Sequence, residues 1–163
     1  MIYITLGTQP CDFSRCLKMV EKLIVKYNIQ EEVIAQIGHT NYRPTERIKC
    51  IDFLSESDYQ KCISDSRVVI SHAGTGALFS AMKKGKKIIA VARLKKYGEM
   101  VNNHQTEIVQ KLCGEGYILD GTYSLEEAWN KLAFFTPRKY DFVNYLPDAI
   151  KKQIDGWMGY ISS

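Results

Sequence analysis

The chain has no apolar run approaching the roughly 20 residues that a membrane-spanning helix needs. Its opening, Met1-Ile-Tyr-Ile-Thr-Leu6 and then Gly7, lacks the basic head, long apolar stretch and small-residue cleavage site of a secretory leader. A cytoplasmic location is therefore expected. The five cysteines (Cys11, Cys16, Cys50, Cys62, Cys113) are odd in number and form no C-x-x-C pair. Reduced thiols explain them, and neither a disulfide framework nor a zinc site is expected. Only three histidines occur, His39, His72 and His104, at spacings that support no metal centre. Two nucleotide signatures are also missing. G-x-x-x-x-G-K-[ST] is absent, and Gly7-Thr8-Gln9 does not continue as G-x-G-x-x-G. There is no internal repeat, low-complexity tract or second domain.

What remains is a chain of 163 residues, 45% apolar and 25% charged, which suits one domain with a real core. Its net charge of +4 favours anionic or phosphorylated ligands without demanding them. The basic runs Met82–Lys87 and Arg93–Lys96 are too short for a nucleic-acid surface, so no nucleic-acid partner is expected.

Short apolar runs alternate with amphipathic stretches. Strands are expected at 2–6, 33–37, 48–52, 68–70, 87–92 and 117–119. Helices are expected at 13–27, from a cap at Ser57 or Asp58 to 65, at 75–84, and at 103–112. Two more follow, one opening on the capping box Ser124-Leu-Glu-Glu127 and a last one over 147–160. The alternation predicts an α/β fold, a doubly wound parallel sheet covered on both faces.

In such sheets ligands sit beyond the carboxyl ends of the strands. After the fourth strand stands Ser71-His-Ala-Gly-Thr-Gly76, which is dense in polar groups and glycines at a helix start. There, free N–H groups and the positive end of the helix dipole attract phosphate, and the His72 imidazole offers a further donor. The plainer alternative is a tight strand–helix turn with His72 as a hydrogen-bonded packing residue. A second polar cluster, Asn102-Asn-His-Gln105 with Glu107, opens a later helix. Asn102 or Asn103 serves there as a cap, or Gln105 meets sugar hydroxyls as donor and acceptor.

Thr5-Leu-Gly-Thr-Gln9, Ile70-Ser-His-Ala-Gly-Thr-Gly-Ala77, Gly85-Lys-Lys and Asn103-His-Gln-Thr-Glu107 together resemble the glycosyltransferase family 28 C-terminal domain. They look most like its small stand-alone form, the Alg13 type of eukaryotes and the PssE and EpsF kind of exopolysaccharide or capsule subunits in bacteria. The resemblance runs from the first strand to about Ile118. It implies a Rossmann-like, C-terminal-type half of a GT-B enzyme, with 1–163 as a single UDP-sugar donor-binding domain. Residues 140–163 would be a linker and helix for packing or partner docking. The implied function is transfer of a hexose, galactose or N-acetylglucosamine, to a polyprenyl-linked acceptor in polysaccharide biosynthesis. The acceptor half would be a membrane-anchored Alg14/PssD-like partner that recruits this chain to the cytosolic face of the membrane.

Carried onto this sequence, the resemblance puts Gly7, Thr8, His72, Gly74, Thr75 and Gly76 around the donor diphosphate. Ser80, Asn103, His104, Gln105 and Glu107 would meet the nucleoside and sugar, with no metal and no other cofactor. Ser80 stands where related domains carry a ribose-binding carboxylate, and Ala92-Arg93 where bacterial relatives carry Pro-Arg. No catalytic base is assigned in this chain. Two alternatives are a non-catalytic module that stabilises a partner glycosyltransferase, and a nucleotide-sugar epimerase-like enzyme.

Overall fold

The computed structural model describes residues 1–44 and 47–141. The helix expected over 147–160 lies outside the described residues.

Six strands form one parallel sheet: β1 (Ile2–Thr5), β2 (Val33–Gln36), β3 (Lys49–Ile51), β4 (Val68–Ser71), β5 (Lys87–Ala90) and β6 (Leu119–Asp120). Their spatial order is β3-β2-β1-β4-β5-β6. β1 lies between β2 and β4, with Ile2 opposite Val33 on one side and Val68 on the other. The helices are α1 (Ser14–Lys26), α2 (Glu56–Asp65), α3 (Thr75–Lys83), α4 (His104–Gly114) and α5 (Leu125–Lys131).

Alternation along the strands sorts the core into two layers. Ile2, Ile4, Val68, Ile70 and Ile89 face the cluster completed by Leu17, Val20, Leu23 and Ile24 of α1 and Leu125 and Ala128 of α5. Tyr3, Val69, Ile88 and Ala90 face the opposite cluster, built from Ile63, Leu78, Ala81, Met82, Ile108, Val109 and Leu112 of α2, α3 and α4. Strands covered on both faces lose the apolar–polar alternation, so they read in sequence as continuous apolar runs.

Three features differ from expectation. The cap of α2 is Ser55, whose Oγ accepts the Asp58 N–H at 3.1 Å, rather than Ser57 or Asp58. Ser55→Ala should cost about 1 kcal/mol, seen as a lower urea midpoint with an unchanged denaturant slope. The sixth strand begins at Leu119 and not at Tyr117. The Tyr117 N–H bonds the Leu112 carbonyl at 3.0 Å as part of the α4 end, where Gly116 turns the chain at φ +79°. The loop after β5 contains a 3-10 turn, Lys95–Tyr97. No helix among the described residues is long and apolar enough to cross a membrane.

Candidate functional site

The strand order reverses at β1: the chain runs outward through β2 and β3, then returns to place β4 on the other side. The loops after β1 and β4 diverge there and leave a crevice above the strand ends. His72 sits at its floor. Its backbone N–H donates to the Thr5 carbonyl at 3.0 Å, and its Nδ1 lies 3.1 Å from the same oxygen. A carbonyl only accepts, so Nδ1 carries the proton and Nε2 is bare.

The ring is clasped by two glycines. A Cβ on Gly7 would lie 2.5 Å from His72 Nε2, and one on Gly74 would overlap the same atom. Gly7 also has φ +78°, a left-handed conformation that glycine adopts without strain. Ala73, between His72 and Gly74, sits at φ +65° with its methyl fully buried. The glycines therefore serve the imidazole as well as any ligand. Burial pushes the His72 pKa down to about 4; the Thr5 bond opposes that shift, and the Arg93 charge adds to it. At neutral pH the ring is uncharged, and its one N–H is taken up by Thr5. The donation to phosphate expected from the sequence requires a second proton on the ring.

Gly74 caps α3 without a side-chain bond, and the first intrahelical bond runs from Leu78 N–H to the Gly74 carbonyl. The N–H groups of Thr75, Gly76 and Ala77 precede it and form the donor end of the helix. Two hollows flank this end. The first, about 400 Å³, contains all six residues assigned to the diphosphate: Gly7, Thr8, His72, Gly74, Thr75 and Gly76. Gln36, Phe53, Leu54, Glu56 and Tyr59 wall its far side. The second, about 340 Å³, is lined by Met100, Asn102, His104, Gln105 and Ile108, and shares Gln9, His72, Gly74 and Thr75 with the first.

The five residues expected at the nucleoside and sugar divide. His104 and Gln105 line the second hollow. The Gln105 Oε1 accepts the Arg93 N–H at 2.9 Å, which leaves its NH₂ as donor. Ser80, Asn103 and Glu107 are absent from the lining of both hollows. Asn103 instead accepts the Lys95 N–H at 3.0 Å, and Glu107 pairs with His104 at 3.6 Å on the surface. Asn102 accepts the His104 N–H at 3.2 Å. Among the described residues no group of three or more His, Cys, Asp or Glu is placed to hold a metal ion.

Sequence reasoning missed the scaffold beneath the site. Arg93, 1% exposed, donates to the carbonyls of Leu6 at 2.8 Å and Cys11 at 3.0 Å, and lies over the Phe13 ring. Glu99, 4% exposed, accepts two bonds from Arg15 at 2.8 and 3.0 Å and one from the Leu94 N–H at 2.8 Å. Arg15 reaches on to the carbonyls of Ala92 and Thr122. This network ties the loop after β1 to the loop after β5 and to α1. It spans partners far apart in the chain, so no local pattern announces it. Gln36 and Phe53, by contrast, stand at or just past the ends of β2 and β3, where the strand-end rule looks for ligand contacts.

Residues 1–146 match the family model of the Glycosyltransferase family 28 C-terminal domain. The human protein called UDP-N-acetylglucosamine transferase subunit ALG13 is 29% identical over 126 residues, covering 72% of this chain and 10% of that protein. The Candida glabrata protein of the same name is 40% identical over 96 residues, 59% of this chain and 39% of that one. The chain thus matches only a part of these curated relatives. Among solved structures, the NMR solution structure of ALG13 superposes with a TM-score of 0.59 at 18% identity, covering 88% of this chain and 90% of that one. A crystal structure of the glycotransferase of kitacinnamycin gives 0.58 at 13% identity, covering 81% of this chain and 34% of that one. Both likenesses concern the fold.

Proposed function

The chain belongs to the glycosyltransferase family 28 C-terminal domain family, and from that premise we propose that it binds the nucleotide-sugar donor of a two-component glycosyltransferase. The observation that carries the reading is the uncapped α3 N-terminus at the sheet crevice, with one hollow on each side of it. A nucleoside diphosphate sugar has that tripartite form: an aromatic base, a doubly charged middle and a polar ring. The diphosphate takes the N–H groups of Thr75, Gly76 and Ala77, which also stabilise charge on the departing nucleoside diphosphate. The base and ribose take the first hollow, where Phe53 is 50% exposed at the wall and Glu56 offers a carboxylate to ribose hydroxyls. The sugar takes the second, near His104 and Gln105.

The relatives' shared name makes UDP-N-acetylglucosamine the donor to test first, and the word subunit in it supports a partner that holds the acceptor. A membrane-anchored partner would carry the polyprenyl-linked acceptor and bring this chain to the cytosolic face of the membrane. It would also supply the base that takes the acceptor's proton. Isothermal titration of UDP and a panel of UDP-sugars into the purified chain tests the reading. Saturable binding is expected, tightest for UDP-N-acetylglucosamine. Phe53→Ala should weaken it by about tenfold, since a base on an aromatic ring contributes about 1–3 kcal/mol. No saturable binding of any uridine nucleotide, or binding indifferent to Phe53, would overturn it.

A further inference from the structure

We propose that His72 takes up a proton at Nε2 when a nucleoside diphosphate seats on the α3 N-terminus, so that binding consumes one proton and creates the cation that faces the diphosphate. The inference rests on the donor-binding reading and deepens it.

Charge balance motivates it. Among the described residues no lysine or arginine lines either hollow. A diphosphate brings two negative charges, and the free N–H groups of one helix end offset only about half a charge. The titratable side chains around the two hollows are Glu56 and Tyr59 from α2, His104 from α4, and His72 itself. Glu56 has the wrong sign. His104 is exposed and already set against the Glu107 carboxylate. His72 alone belongs to both hollows while holding a fixed, buried orientation.

The geometry supplies the rest. Thr5 holds the Nδ1 proton on the far side of the ring, and Gly7 and Gly74 pack against the Nε2 side. A half-turn of the ring would forfeit the Thr5 bond, so the group presented to the crevice is the bare Nε2. A lone pair against an anionic oxygen repels it; a second proton turns the same contact into a charge-assisted hydrogen bond. Without a facing anion, burial and the Arg93 guanidinium beneath keep that proton off. The arriving diphosphate reverses the balance. The proton comes from solvent and returns there when the nucleotide leaves.

The sign follows from linkage. Binding raises the pKa of His72, so affinity is fullest at low pH and falls as pH climbs toward the bound value. Between the free and bound values it falls tenfold for each unit of pH, and above the bound value it levels off.

UDP-N-acetylglucosamine is the probe, because its diphosphate is esterified at both ends and has no proton to exchange near neutrality. Long-range proton–nitrogen NMR spectra of the uniformly ¹⁵N-labelled full chain resolve the ring nitrogens of its three histidines. At about pH 6.5, the free protein should show one protonated and one bare nitrogen on His72, and the saturated protein two protonated ones. Calorimetry in buffers of unlike ionisation heat should count close to one proton taken up per ligand, and none in His72→Gln. If Nε2 stays bare with ligand bound, or the proton goes to His104, this inference falls and the donor-binding reading stands. If no uridine nucleotide binds at all, both fall.

Discussion

Glu99→Ala is expected to destabilise the chain by about 3–5 kcal/mol, the range for removing one partner from a buried ion pair. Glu99 is the only carboxylate in contact with the Arg15 side chain among the described residues, and it receives two of that guanidinium's bonds as well as the Leu94 N–H. Its loss leaves Arg15 half-satisfied and an amide without its acceptor, and the compensating negative charge beside buried Arg93 disappears. Glu99→Gln keeps one acceptor oxygen and the side-chain volume, so it should cost less than the alanine change. Urea unfolding of the two variants checks the order. A loss below about 1 kcal/mol for Glu99→Ala, as for a surface pair, would show that the network contributes no more than rim ion pairs do.

The second large effect is a reversal of sign. Gly74 has φ −68° and ψ 132°, ordinary values for alanine, so Gly74→Ala suffers no backbone strain. Its added methyl meets the His72 ring. Overpacking of this kind costs about 1–3 kcal/mol, and it displaces the imidazole from Thr5 and from the crevice. Nucleotide affinity should drop by more than tenfold. In the native background His72→Ala removes a buried hydrogen bond and destabilises. In the Gly74→Ala background it removes the collision and stabilises. A double-mutant cycle by chemical unfolding measures that coupling directly. Additive changes would mean that the ring and the glycine do not share the space.

How much of this was open to inspection in the amino-acid order depends on the range of the interactions. The strand and helix plan rests on local periodicity, and the runs at Ile2, Val33, Val68 and Lys87 all became strands near their expected bounds. The glycine-rich turn was visible because two glycines and two hydroxyls stand together with a histidine at one strand–helix junction. Its inner logic was not. That Gly7 and Gly74, far apart in sequence, both pack against the Nε2 edge of one imidazole follows only once β1 and β4 pair with Thr5 beside Ser71. The segment from Arg93 to Val101 reads as a polar loop, yet Arg93 and Glu99 are among the most deeply buried charged groups of the described residues. Composition assigns such residues to solvent, and only the tertiary partners Leu6, Cys11 and Arg15 reverse that assignment. Glu107 illustrates the opposite case: motif position drew it toward a ligand, whereas one turn of helix sets it against His104 at the rim of the second hollow, outside the hollow's lining.

The placement of β1 has a consequence during synthesis. β1 emerges from the ribosome before the strand that must lie on its second side, for Ile2 pairs with Val68 and everything between them is translated first. At about 5–20 residues per second, one flank of a wholly buried strand waits roughly 3–13 seconds for its neighbour. Until then it presents unpaired amides and carbonyls between apolar side chains, the kind of edge that recruits strands from other nascent chains. The interval sets a window in which a holding chaperone would act on this polypeptide, and it closes when Val68–Ser71 clears the exit tunnel.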